Sequence, residues 1–177
     1  MRVVGGVHGG RTLVTPRGDR TRPTSDRVRE ALFSILVSVE HARVLDLFAG
    51  SGALAIEALS RGAQTATLVD SSPAAVTAIR RNLTSLQLEA EVRRQTALAF
   101  LGGAHAAARQ YDLVFLDPPY RHVSALERKL STALAPVLAP DARVVTESDR
   151  RDPLELDLEI LDARRYGDTL IRIHGPR

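Results

Sequence analysis

The chain has 177 residues, 44% hydrophobic and 25% charged, with a net charge of +3 and no cysteine. That length suits one α/β domain with a full core and is short for two, and the missing cysteine excludes disulfides, thiolate metal sites and a thiol nucleophile. No apolar run approaches the ~18 residues of a membrane span, and the opening MRVVGGVHGGR lacks the apolar stretch of a signal peptide, so cytoplasmic residence is expected.

The charge gathers at the N-terminus. Residues 1–29 carry seven arginines against Asp19 and Asp26, a net of +5, which leaves −2 on the other 148 residues. A coding bias explains why 23 arginines accompany a single lysine, Lys129, but not why basic residues crowd the start. Such density suits contact with a phosphate backbone. Arg2, Arg11, Arg17, Arg20 and Arg22 are therefore candidate RNA contacts, with a merely solvated arm as the plainer alternative. Residues 1–20 alternate apolar and polar around Gly5-Gly6 and Gly9-Gly10, predicting a hairpin or extended arm that adds little to the core. The rest, 21–177, reads as one domain without repeats or an internal linker.

Arg22-Pro23-Thr24-Ser25-Asp26 sets up a helix with Thr24 or Ser25 as N-cap. Val28, Ala31, Leu32, Ile35 and Leu36 give its apolar face. From Arg43 strand and helix alternate. Strands are predicted at 43–47, 65–70, 90–94, 111–117 and 142–147, and helices near 53–61, 73–86, 96–108 and 124–138. Pro73, after Ser72, marks a helix start. Residues 156–174 read as two strands joined near Tyr166-Gly167-Asp168. This pattern predicts a doubly wound, Rossmann-like sheet of seven strands, mostly parallel, with a C-terminal antiparallel hairpin on one edge.

Two strands end in loops built for ligand contact. The first is VLDLFAGSGAL, Val44–Leu54, where small residues and two glycines let a bound molecule approach backbone. Ligands of open α/β sheets sit outside the carboxyl ends of strands, where such loops lie. Gly50-Ser51-Gly52-Ala53-Leu54-Ala55 formally matches G-x-G-x-x-A, so a dinucleotide site must be weighed. Asp46 argues against it, because an acid at that strand end repels a pyrophosphate and attracts a cationic centre. S-adenosyl-L-methionine, with a sulfonium and an ammonium, has that character. Asp70 ends the next strand and is placed to accept from both ribose hydroxyls. The alternatives are a strand-end turn role for Asp46 and a helix N-cap role for Asp70.

The second is YDLVFLDPPY, Tyr111–Tyr120. An exocyclic amine on a base is a poor nucleophile because its lone pair is delocalised into the ring. A site that accepts both N–H groups favours pyramidal nitrogen and frees the lone pair. The Asp117 carboxylate and the Pro118 carbonyl are suitable acceptors, and proline brings no competing donor. Tyr120 is an aromatic surface for a base taken out of its helix. Arg121 and His122 follow directly, placed to meet a substrate phosphate. His8, His41, His105, His122 and His174 show no metal-ligand spacing, so no metal is expected.

DLFAGSG followed by DPPY resembles the class I S-adenosylmethionine-dependent amino-methyltransferases. RVVGGVHGGR, RPTSDRVREALFSIL, FAGSGALAIEALSRGA and RYGDTLIRI narrow the resemblance to the RsmD family of bacterial 16S ribosomal RNA guanine-N2 methyltransferases, over nearly the whole chain. The resemblance implies methylation of N2 of one guanine, the family's guanine 966, within the small subunit or an assembly intermediate. It implies that Asp46, Phe48, Ala49, Gly50, Ser51 and Gly52 surround the methionyl part, and Asp70 with Ser71 the ribose. Thr24, Asp26 and Arg27 would lie beside the cofactor. Thr96-Ala97 matches the adenine-contacting site, although threonine stands where the family has an amide or acid; a backbone contact from Ala97 is the remaining expectation there. Asp117 would touch both cofactor and acceptor, and the enzyme would act as a monomer. The rival readings are an adenine-N6 methyltransferase of DNA or RNA, a nicotinamide-dependent oxidoreductase, and a non-catalytic RNA-binding assembly factor.

Overall fold

A computed structural model describes residues 1–16, 25–36, 38–118 and 123–176. Among the described residues seven strands form one sheet: β1 (Arg43–Leu47), β2 (Thr65–Asp70), β3 (Glu91–Arg94), β4 (Tyr111–Leu116), β5 (Leu138–Asp149), β6 (Glu159–Tyr166) and β7 (Thr169–Gly175). Their order is β3-β2-β1-β4-β5-β7-β6. The first five run parallel, and β7 pairs antiparallel with both β5 and β6. The near-continuous apolar runs of β1 and β4 are what a strand covered on both faces requires. The seven strands, mostly parallel with a C-terminal hairpin, are the predicted architecture.

The helices are α1 (Asp26–Ile35), α2 (Ala53–Ser60), α3 (Pro73–Leu86), α4 (Ala97–Ala106) and α5 (Val123–Leu134). Leu32 and Phe33 of α1, Ile56 of α2 and Ile79 of α3 pack with Val44, Leu113, Phe115 and Val145 on one face of the sheet. Phe100 and Leu101 of α4 and Leu130 and Leu134 of α5 cover the other face with Leu45, Val114 and Val144. Truncating a fully buried member such as Leu45 or Ile56 to alanine costs about 2–5 kcal/mol in such a core. Among the described residues no helix is long and apolar enough to cross a membrane.

Two expectations need correction. The helix predicted over 124–138 ends at Leu134; a short 3-10 turn, Ala135–Val137, follows, and β5 already begins at Leu138. Pro136 is the cause, since it has no N–H to donate and its ring clashes with the preceding turn.

The N-terminal arm is also more than a surface feature. Residues 1–13 form a hairpin, with Arg2 bridged to Thr12 and bonds from Val3 N to Arg11 O (2.9 Å) and Leu13 N to Met1 O (3.0 Å). Val3 and Leu13 are buried in the same cluster as α1, α2 and α3. The buried Glu57 of α2 accepts from Val4 N at 2.7 Å and from Arg61 Nε at 2.7 Å. The Ser60 hydroxyl donates to Gly5 O at 2.7 Å and accepts from His8 N at 2.9 Å. Gly6 closes this contact at φ +72°, and a Cβ there would lie 1.9 Å from Ser60 O. The arm is thus docked into the core through its apolar residues while Arg2 and Arg11 stay exposed.

Candidate active site

The strand order reverses between β1 and β4: β2 and β3 lie to one side, β5 and β7 to the other. That switch point is where a doubly wound sheet opens a crevice at its carboxyl end. The loops after β1 and β4 are the two singled out from the sequence.

At the β1 end, Asp46 is buried and its Oδ2 accepts from Ala55 N, in the first turn of α2, at 3.2 Å. Burial pushes this carboxyl up to about 7, against the pull of the Ala55 N–H and with a smaller push from Asp70. Phe48 turns the chain out of the strand at φ +66°, a conformation costly for a side chain of that size and held only where the surroundings impose it. Gly52 caps α2 at φ +78°, and a Cβ there would lie 2.8 Å from Leu68 Cδ2, so the loop is pressed onto the sheet. Above Gly50, by contrast, a Cβ would meet nothing nearer than Phe48 O at 4.0 Å. The crest of the loop is open to a ligand while its base is clamped.

Asp70, at the end of β2, accepts from Gly50 N (2.8 Å) through Oδ2 and from Ser72 N (2.8 Å) through Oδ1. It does not cap α3; that cap is Ser72, whose hydroxyl accepts from Ala75 N. Asp70 therefore ties the first loop to the second strand, and each of its oxygens keeps a lone pair for a further donor. Asn82 of α3 fixes the loop from behind, with Nδ2 donating to Ser51 O and Val14 O, both at 2.9 Å, and Oδ1 accepting from Val14 N at 2.7 Å. Ser51 Oγ also lies 3.3 Å from Met1 Sδ. One end of the arm hairpin thus touches the loop that would hold a cofactor through Met1, and the other end is linked to it through Asn82.

At the β4 end, Asp117 follows Leu116, and Pro118 is buried beside it. Burial raises the Asp117 carboxyl well above the usual range, and the neighbouring acids Glu147 and Asp46 push it further. Alternation along the strands places Asp46, Asp117 and Glu147 on the sheet face that carries Val44, Phe115 and Val145. The crevice is lined with carboxyls starved of water, which favours a cation or a ligand rich in N–H donors and disfavours a pyrophosphate.

Other predicted residues find different partners. Asp26 binds Arg2 Nε at 3.0 Å and Arg29 at 2.8 Å. Partial burial raises its carboxyl, and the two arginines outweigh that to leave it below the usual range. Thr96 caps α4, its hydroxyl accepting from Ala99 N at 3.3 Å, while Ala97 is buried. Ser71 and Arg27 are exposed. Arg11 donates to Ser85 O at 3.1 Å. Thr24, Arg17, Arg20, Arg22, Tyr120, Arg121 and His122 lie outside the described residues. Ser25 is the N-cap of α1, accepting from Val28 N at 3.3 Å.

Sequence reasoning passed over three residues. Asn82 belongs to no motif, and the buried Arg29, which bonds Asp26 and Arg2 O, entered only in the count of N-terminal charge. Glu147 carried a signal: it closes the strand predicted over 142–147 with an acid, as Asp70 and Asp117 close theirs. At the opposite, amino end of the strands lies an open depression of about 700 Å³ lined by Arg43, Glu91, Arg109 and Tyr111. Two ion pairs within the protein form there, Arg109 with Glu91 and Arg43 with Asp112. No group of metal ligands exists among the described residues.

The family model described as conserved hypothetical protein 95 matches residues 1–175. The chain is 36% identical over 159 residues to ribosomal RNA small subunit methyltransferase D of Haemophilus influenzae, covering 87% of this chain and 81% of that one. A solved structure of a hypothetical protein from Thermus thermophilus matches with a TM-score of 0.84 at 31% identity, covering 99% of each chain. The T. thermophilus 16S rRNA N2 G1207 methyltransferase, in complex with AdoMet and guanosine, shares the fold at 22% identity and a TM-score of 0.69, covering 91% of this chain and 45% of that one. The chain belongs to the RsmD family, and its fold is that of a class I methyltransferase.

Proposed function

We propose that the protein methylates ribosomal RNA with S-adenosyl-L-methionine, and that its target is the exocyclic N2 of one guanine in the small subunit, guanine 966 in the family's numbering of 16S RNA. The observation that carries this reading is the pairing of two loops across the β1/β4 switch point, one open over Gly50 and the other ending in Asp117 and Pro118. The relative in Haemophilus influenzae, named for small-subunit ribosomal RNA, supports the choice of substrate.

The residues present fit the methyl donor. Asp46 faces the methionyl part, the Gly50 crest gives it backbone to lie on, and the free lone pairs of Asp70 take the ribose hydroxyls. When bound, the donor supplies an electrophilic methyl carbon on a sulfonium. Asp117 and the Pro118 carbonyl accept the two N–H groups of the acceptor amine, which holds the nitrogen pyramidal and its lone pair toward the donor side. The contribution is orientation and polarisation in a site short of water. Asp117 takes the proton that leaves the nitrogen after the new bond forms. Tyr120 stacks on the extruded base, and Arg121 and His122 meet its phosphate. Arg2, Arg11, Arg17, Arg20 and Arg22 hold the RNA backbone, and the protein works as a monomer on the small subunit or an assembly intermediate.

The test is purified protein with isotope-labelled S-adenosylmethionine and small subunits lacking the modification, followed by nucleoside analysis. Labelled N2-methylguanosine is the expected product. N6-methyladenosine would instead support an adenine methyltransferase, and absence of label with tight RNA binding would support an assembly factor.

A further inference from the structure

We infer that α3 carries part of the RNA interface: Arg81, together with Arg11 of the arm, holds phosphates of the substrate strand along the seam where hairpin and helix meet. This inference rests on the ribosomal RNA reading above.

Asn82 builds the seam. Its buried side chain clasps Val14 through both N and O and reaches Ser51 O of the donor loop, so arm, helix and loop keep one arrangement. Arg11 crosses the same boundary further along, donating from Nη2 to Ser85 O at 3.1 Å. That carbonyl lies in the last turn of α3, where a helix has no N–H of its own to offer it. The bond uses one of five guanidinium donors, so Arg11 keeps its charge and four N–H groups for an anion. Arg81 sits beside Asn82 and one turn before Ser85, on the flank next to the arm. Both arginines are exposed.

Charge sets this face apart. Residues 1–16 and 73–86 contain no Asp or Glu. Elsewhere arginines are met by acids, Arg43 by Asp112, Arg109 by Glu91 and Arg172 by Glu155. Among the described residues neither Arg11 nor Arg81 has an ion pair. An acid-free surface with two unneutralised guanidinia fits a polyanion, and the planar fork of arginine suits phosphate. α3 starts after Asp70, on the donor half of the sheet, whereas the acceptor loop follows β4. A strand held at the seam that delivers its base to Asp117 therefore spans the mouth of the crevice over the donor. Contact so far from the target base fixes the register of the strand without reading its sequence. Arg80 supplies the contrast: it is also exposed but lies about 160° around the helix axis from Asn82, away from the arm.

The test measures binding to small subunits that lack the modification, across a salt series, for wild type, Arg81→Gln, Arg81→Lys and Arg80→Gln. Arg81→Gln should flatten log K against log salt by roughly 0.7–0.9 and weaken binding about five- to eightfold at 0.1 M salt. Arg81→Lys should keep the wild-type slope, since a point charge still neutralises a phosphate. Arg80→Gln should keep it too, although it removes the same charge. Calorimetry with S-adenosylhomocysteine should give wild-type affinity for all three, which shows them folded with the donor loop intact. A wild-type slope in Arg81→Gln would overturn the assignment. So would an equal loss in Arg80→Gln, which would mean a diffuse field rather than a seat. Polyuridylate should compete with the subunits and polyglutamate should not; the reverse would assign the face to an acidic protein. A wild type that leaves the subunit RNA unlabelled would bring down the ribosomal RNA reading itself, a result seen without any variant.

Discussion

Asp46→Asn should make the donor-free protein more stable and the enzyme worse. The buried carboxyl titrates at about 7 against 3.8 for its ordinary value. A carboxyl raised in the folded state contributes its stability below the unfolded value and loses it as pH rises through the folded one. Between pH 4 and 8 wild type is thus increasingly penalised, by about 4 kcal/mol at pH 8 as an upper bound from 1.36 kcal/mol per unit. Asparagine keeps an oxygen for Ala55 N–H and carries no charge to bury. Urea denaturation of both proteins without donor should show a gap in favour of the variant that widens by about 2–3 kcal/mol from pH 5 to pH 8. Donor affinity should move the other way. A cationic donor favours ionised Asp46, so wild-type affinity should rise with pH through about 7, whereas that of the variant should stay flat and roughly ten- to a hundredfold weaker at pH 8. Parallel stability profiles would refute the buried-acid argument, and equal donor affinity at pH 8 would refute the role given to Asp46.

Asp117→Ala should abolish methyl transfer while donor binding, measured by calorimetry on the same preparation, stays within about threefold; an active variant would remove Asp117 from the acceptor site. Gly6→Ala should destabilise by about 3 kcal/mol or more, because its Cβ would sit 1.9 Å from Ser60 O, whereas Gly10→Ala, with nothing within 4 Å, should cost only the 1–2 kcal/mol of its left-handed backbone. Thermal unfolding compares the two directly. Replacing Arg2 and Arg11 by glutamine should flatten the salt dependence of RNA binding by about one unit in log K against log salt without changing donor affinity, and an unchanged slope would mean both are solvated.

The parts legible in the sequence were those written in local pattern. Apolar runs closed by an acid gave β1, β2 and β4 with Asp46, Asp70 and Asp117 at their ends, and Ser72-Pro73 gave the start of α3. What escaped was tertiary. Val3-Val4 and Leu13-Val14 carry no periodicity that says which side is buried; Val3 and Leu13 are inside because Glu57, Ser60 and Asn82 reach up to the backbone of the arm. The burial of Arg29 and Glu57 depends on carbonyls and N–H groups from a segment more than 20 residues away, which no local pattern reveals. Asp70 was weighed as a helix cap or a ribose acceptor; in the fold it also holds Gly50, a contact between strand ends that no spacing reveals.

The central claim is methyl transfer to one guanine of small-subunit ribosomal RNA, and mass spectrometry of that RNA from cells with and without this protein tests it most directly. The account predicts loss of a single N2-methylguanosine in cells lacking the protein, restored by the wild-type gene and not by Asp117→Ala. An unchanged small-subunit methylation pattern, or restoration by Asp117→Ala, would contradict it.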